Sequence, residues 1–229
     1  MDSAAPRRRT QLERRNGSEE ALLDAAAELV AERGVEGASL ARIGQRAGAS
    51  RGLPTHHFRS KDALVARLAH RAQNQIDDAA WAAVEQAGHS VEDLCGLDLV
   101  RATVDAYLKR FEHPSSADRA LIVMWGATFP AAASVEGMLE ADRRSYEGWA
   151  GLIEQGQRDG SIRTDLDPRT AVVLLQGLIR GVAATFLTDA HLTEKRQARR
   201  ACRTWVTSAL APHRDPATSA PDAPRSIHL

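Results

Sequence analysis

The sequence predicts an all-α fold of about nine helices, and three observations carry that prediction. Alanine, the strongest helix former, fills 41 of the 229 positions. β-branched residues seldom cluster, and no useful stretch alternates apolar and polar residues with the period of a strand. Apolar residues instead recur three and four apart, in windows bounded by capping residues and glycines.

The elements follow in order. Residues 1–17 are polar and Arg-rich and read as a disordered basic arm. Ser18 before Glu19 and Glu20 is a predicted N-cap with acids in the first turn, where the helix dipole favours them. Leu22, Ala26, Leu29 and Val30 then form one stripe, stopped at Gly34. Ser39 caps a second helix, with Leu40, Ile43 and Ala47 inward, up to Gly48. Ser50 opens a short third helix to about His57. Ser60-Lys61-Asp62 caps a long fourth, with Leu64, Leu68, Ala72, Ile76, Ala79 and Ala83 on one side, ending near Gly88. A fifth starts at Ser90 and ends near His113-Pro114. Residues 117–129 are apolar nearly all round, which predicts a central helix stopped by Pro130. A seventh runs from about Ser134 to Arg158, before Gly160. Asp167-Pro168 introduces the eighth, Ala171–Leu187. The ninth, about 191–211, has Ala198, Cys202, Trp205, Val206 and Ala209 on its apolar face. Residues 212–229 hold four of the nine prolines and read as a disordered tail.

Composition excludes several classes. Basic and acidic residues balance at 30 each, so the chain is no polycation. The balance conceals a split: residues 1–61 hold 11 basic and 8 acidic side chains, residues 62–229 hold 19 and 22. Two distant cysteines, Cys95 and Cys202, do not make a disulfide scaffold and suit a reducing compartment. The amino terminus lacks an apolar signal core, and no apolar run is read as a bilayer span, so a cytoplasmic location without membrane contact is expected. No P-loop, G-x-G-x-x-G, H-E-x-x-H, C-x-x-C or G-x-S-x-G occurs, so neither an enzyme nor a bound cofactor is expected.

Helices two and three, joined by Ala47-Gly48-Ala49, have the length and turn of a helix-turn-helix, giving a DNA-binding domain over residues 18–61. From Gly37 to Lys61, 25 residues hold Arg42, Arg46, Arg51, Arg59, Lys61 and two histidines, but no acid. A duplex is a dense line of phosphates, and one carboxylate facing it costs repulsion and desolvation.

Ala21-Leu22-Leu23-Asp24-Ala25-Ala26, Glu32-Arg33-Gly34, Ser39-Leu40, Ile43, Ala47 to Gly52, His57-Phe58 and Ser60 to Leu64 together resemble the amino-terminal domain of the TetR-type transcriptional regulators over about 50 residues. Gly160 to Pro168 before an apolar helix resembles the family more loosely. The resemblance implies a homodimer, three DNA-binding helices per subunit, and a variable helical domain around a small-molecule pocket. Where the family commonly has Thr-Leu-Tyr, this chain has Leu53-Pro54-Thr55, so the tyrosine that usually holds a phosphate is missing. Thr55 or His56 is left to replace it.

On this reading Ser39, Arg42, Ser50, Arg51, Gly52, Leu53, Thr55, His56, His57 and Lys61 face DNA. Arg51 can take a guanine edge or a phosphate, Gly52 permits close approach, and Leu53 can touch a thymine methyl. Ser39 and Lys61 meet phosphates. Arg7, Arg8, Arg9, Arg14 and Arg15 can reach the duplex as an arm or stay solvated. His56 and His57 diverge by about 100° on a helix, so no metal site is expected.

Residues 62–211 form the predicted effector-binding and dimerisation domain. Its candidate cavity residues are Trp81, Tyr107, Phe111, Met124, Trp125, Phe129, Tyr146, Trp149 and Gln176, which suggest a largely apolar space. Glu140 and His113 are further polar candidates. The eighth helix, with Gly177, Gly181, Ala183 and Ala184, and the helix holding Trp205 are the expected dimer seam. The expected function is a repressor that binds a palindromic operator as a homodimer and is released by a small apolar effector. The alternative is an architectural or regulatory DNA-binding protein without an effector, its aromatics serving only as core.

Overall fold

Leu22, Ala26, Leu29 and Val30 are all buried, and their stripe packs the first helix, α1 (Gln11–Gly37), onto its neighbours. The computed structural model describes residues 11–129, 136–188 and 194–213, with side chains from residue 17 onward. α1 starts ahead of Ser18, so Ser18 is not its cap and residues 11–17 are helical rather than part of an arm. Gly34, at φ 73°, breaks the helical path where a stop was expected. Arg7, Arg8 and Arg9, the Arg14 and Arg15 side chains, the Pro130 and Ser134 signals, and the tail beyond His213 lie outside the described residues.

Polar caps set the next boundaries. Ser39 caps α2 (Leu40–Arg46), and Ser60 caps α4 (Lys61–Gln86) by accepting from the Ala63 amide at 3.1 Å. Between them α3 (Leu53–Phe58) begins after Gly52, not at Ser50, and Pro54 fits its first turn, where no amide is needed. α4 buries Leu64, Leu68, Ala72 and Ile76, then Ala80 and Val84, leaving Ala79 and Ala83 exposed. The inward stripe keeps a step of four residues to its end, whereas the sequence reading shortened the step after Ile76 to three.

Ser90 caps only a short 3-10 turn, Val91–Asp93, and the backbone is extended at Leu94 and Cys95 before α5 (Gly96–Glu112). The break is held from outside the segment. Asp159 accepts from the Gly96 amide at 2.7 Å, and Ser161 from the Leu97 amide at 3.1 Å. α6 (Ser116–Gly126) opens on a capping box between Ser115 and Asp118 and ends short of Phe129. α7 (Glu136–Asp159), α8 (Pro168–Thr188) and α9 (Lys195–Leu210) complete nine α-helices among the described residues, with no strand.

α5 is central, packing on α4, α7, α8 and α9. Arg199 clamps α9 to it, with Asp105 at 2.5 Å and Glu112 at 2.8 Å. The inward face of α9 is Ala198, Cys202, Val206 and Leu210. Trp205, expected on that face, is 70% exposed, and Ala209 is exposed too. α8 packs Ala171, Val172, Leu175, Ile179, Ala183 and Phe186 inward, while Val173 (55%) and Leu174 (64%) face out. Contrary to the sequence reading, α8 is long and apolar enough to cross a membrane by length and composition, at mean hydropathy 1.7. Its inner face is packed on the domain and carries buried Gln176 and Arg180, so the surplus apolarity lies on the outer face.

Candidate nucleic-acid interface and effector cavity

The reading head is built from one tight reversal. Gly48, at φ 64°, turns the chain between α2 and α3 in a conformation that side chains with a Cβ rarely adopt. Gly44 lets the two helices cross: a Cβ there would sit 3.0 Å from Pro54 Cγ. Ile43, Pro54 and Phe58 are buried beneath the crossing. Arg46 braces α2 to α1 through Glu28 and Glu32, each at 2.9 Å, and this pairing lowers the Glu32 carboxyl below its ordinary range. That arginine is therefore committed to the fold.

What remains outside is acid-free. Arg51, Gly52, Thr55 and His56 are exposed together on α3 and the turn before it, and Ser50 is exposed beside them. His57 is half-buried, its ring against His56 and Phe58 at 5.8 and 6.0 Å. Leu53 turns inward and packs on the core, so its side chain is not presented as expected. Ser39 accepts from the Arg42 amide at 3.4 Å, and the Arg42 guanidinium donates to the Gly37 carbonyl at 3.0 Å. Lys61 is half-buried and paired to Glu36 at 3.0 Å, which ties the start of α4 to the end of α1. Arg59 was not among the predicted contacts. It is exposed, has φ 61°, and like Arg51 forms no ion pair among the described residues. The chain must turn from α3 into α4 at Arg59 and Ser60, and that turn aims the guanidinium outward. Its presence in the acid-free run was the available signal.

A cavity of about 520 Å³ opens among α4, α5, α6, α7 and α8, within the range of small-molecule sites. Trp81, Tyr107, Trp125, Trp149 and Gln176 line it. Four expected residues do not. Phe111 and Met124 are fully buried core; Phe111 lies one turn beyond Tyr107 on α5, ring to ring at 5.2 Å. Phe129 is 69% exposed after α6 has ended, with its edge on Trp125. Tyr146 is half-buried against the core outside the lining. His113 ends α5 exposed, and Glu140 pairs with Arg143 and Arg144.

The wall is more polar than the sequence suggested. Arg67, His70, Gln73, Asn74 and Asp77 reach it from α4, Arg144 and Ser145 from α7, and Arg180 from α8. Arg180 is buried, held by Asp142 at 2.7 Å, with its guanidinium 5.4 Å from the Trp125 ring centre. Desolvation, then the charges of Arg144 and Arg67, push the His70 imidazole below its ordinary value. Burial pushes the Tyr107 phenol up, keeping it a neutral donor. Among the described residues no cluster of metal-ligating side chains occurs.

Three comparisons bear on this arrangement. The family model for bacterial regulatory proteins of the tetR family matches residues 22–68, which span the reading head and the start of α4. The transcriptional repressor KstR2 of Rhodococcus jostii is 28% identical over 171 residues, 71% of this chain and 76% of its own. Other curated regulators match over 53% of their own length. The transcriptional regulator FadR from Bacillus subtilis, in complex with stearoyl-CoA, superposes with TM-score 0.68 at 15% identity, covering 83% of this chain and 98% of that one. AibR, in complex with isovaleryl coenzyme A and operator DNA, superposes with TM-score 0.61 at 17% identity, covering 83% and 98%. At those identities the two structures bear on fold alone.

Proposed function

We propose that the chain is a DNA-binding transcriptional regulator of the TetR family, and that it is a ligand-responsive repressor acting as a homodimer on a two-fold operator. One observation carries the proposal: α4 is a single helix that begins at the reading head and forms one wall of the cavity. A molecule that shifts α4 at Arg67 to Trp81 therefore moves Lys61 and the head attached to it.

In this reading residues 18–61 carry the reader and residues 62–211 the cavity and the dimer seam. Arg51, Gly52, Thr55 and His56 enter the major groove, while Ser39, Ser50 and Arg59 meet phosphates. Arg42 and Lys61 reach the backbone once they leave Gly37 and Glu36. The outer faces of α8 and α9, with Val173, Leu174 and Trp205, pair across the two-fold axis. A dimer then sets its two readers about 34–36 Å apart, one turn of duplex. The neighbours described with isovaleryl coenzyme A and stearoyl-CoA support a cavity that holds a small molecule with an apolar portion. By linkage, an effector that weakens operator binding is itself bound more weakly by the operator complex, by the same factor.

Footprinting on DNA flanking the chain's own gene tests the reading. Protection of two half-sites related by a two-fold, lost in Arg51→Ala, is the expected result; protection without two-fold symmetry, or none, refutes it.

A further inference from the structure

We propose that the effector is an organic anion, and that it acts by drawing Arg67 away from Glu19. The proposal rests on the cavity being the effector site. Arg67 and Arg144 are exposed at its rim, and both act electrostatically on His70 of the same wall, so three basic groups share one end. Each arginine is at present matched by a carboxylate of the protein itself. Arg144 is paired with Glu140 at 3.2 Å, one turn back on α7, and the Arg67 guanidinium donates to Glu19 of α1, its Nε at 3.1 Å. Exposed pairs of this kind hold weakly, so an incoming carboxylate or phosphate can replace either partner.

The acid in the wall lies elsewhere. Asp77 is ten residues along α4 from Arg67, roughly 15 Å at 1.5 Å per residue, so the field along the helix orients an anionic head toward Arg67. The floor supplies a second recognition element. Gln176 is 2% exposed; its amide nitrogen donates to Ser145 Oγ at 3.1 Å, while its carbonyl oxygen is buried without a partner. A buried carbonyl left unpaired calls for a donor. The ligand is therefore an amphipathic anion with an apolar body among the tryptophans and a hydrogen-bonding group at its inner end.

The exchange at Arg67 has a consequence for DNA. Arg67 to Glu19 is one of the ties between the cavity helix and α1; Arg71 to Glu20 and Asp24 is the next, one turn along. When the anion takes Arg67, α1 loses one of its ties to the cavity helix, and the head is freer to rotate about α4.

The test uses the full chain and three probes: 10-hydroxydecanoate, 10-hydroxydecanoyl-coenzyme A and 10-hydroxydecanamide. Tryptophan fluorescence reports binding, and the anisotropy of labelled operator DNA reports release. At least one of the two anions is expected to bind ten times tighter than the amide, the carboxylate and the coenzyme ester distinguishing which headgroup the rim accepts. Arg67→Gln should weaken that anion about tenfold. Glu19→Gln is the discriminating variant: it removes the competitor, so the anion binds several-fold tighter while operator binding weakens, which a merely structural role for Glu19 does not produce. Equal binding by the amide, with DNA still released, overturns the anion inference and leaves the effector reading standing. So does an unchanged anion affinity in Glu19→Gln. Silence from all three probes overturns both.

Discussion

Replacing Trp205 by alanine should split the dimer. Trp205 is 70% exposed on one protomer although it is among the largest apolar side chains of the chain. A tryptophan offers about 200 Å² of burial, so about 140 Å² remains to be covered. At about 25 cal/mol per Å² that is about 3.5 kcal/mol per protomer. A two-fold seam uses the residue twice, for about 7 kcal/mol in all. Alanine keeps part of the contact, so the expected loss is about 4–5 kcal/mol, or about 10³-fold in the dimer dissociation constant. Sedimentation equilibrium from nanomolar to micromolar protein measures it. Because Trp205 stands outside the buried core of its own protomer, the far-ultraviolet dichroism of the variant should be unchanged. A variant that dimerises as tightly as the wild type, or a wild type that stays monomeric, refutes the seam.

Three further outcomes follow from the geometry. Gly48→Ala forces a Cβ into the left-handed region at φ 64° and should cost about 1–2 kcal/mol, read from the chemical unfolding midpoint; no loss contradicts the turn. His70 is held below its ordinary value, so between that lowered value and about 6.5 the unfolded chain binds more protons than the folded one. Stability relative to His70→Gln should therefore fall as pH drops below about 6.5, in melting curves taken at a series of pH values; a rise on acidification contradicts the assigned sign. Burial raises the Cys202 thiol to about 11, so a chromogenic disulfide should modify it only after unfolding. Rapid native labelling of Cys202, mapped by mass spectrometry, contradicts its place on the inward face of α9.

The reading head was legible because its signals are local. A capping serine at 39, a glycine at 48, another cap at 60 and apolar residues at 43 and 58 each sit within a few residues of the feature they produce. The start of α5 was not legible, since its amides are satisfied by Asp159 and Ser161, more than sixty residues away. The cavity was half legible. Its tryptophans stand out in an aromatic-poor chain, but whether Phe111 or Tyr107 meets the space depends on where α7 and α8 cross α5. Arg67 and His70 escaped because a basic residue on a helix reads as solvated face until α7 packs alongside. Trp205 misled in the opposite sense: α9 has apolar side chains on two faces, and contacts to residues far away in sequence, the Arg199 clamp among them, go with the one that turns inward.

Selection of duplexes from a random pool by the full-length protein tests the central claim most directly. An acid-free reader presented twice should enrich one sequence as an inverted repeat with half-site centres about 10 base pairs apart or a multiple of that. Its affinity should fall steeply between 50 and 200 mM salt and drop again in Arg51→Ala. Enrichment of a single unrepeated site, or of nothing above the starting pool at either salt concentration, contradicts it.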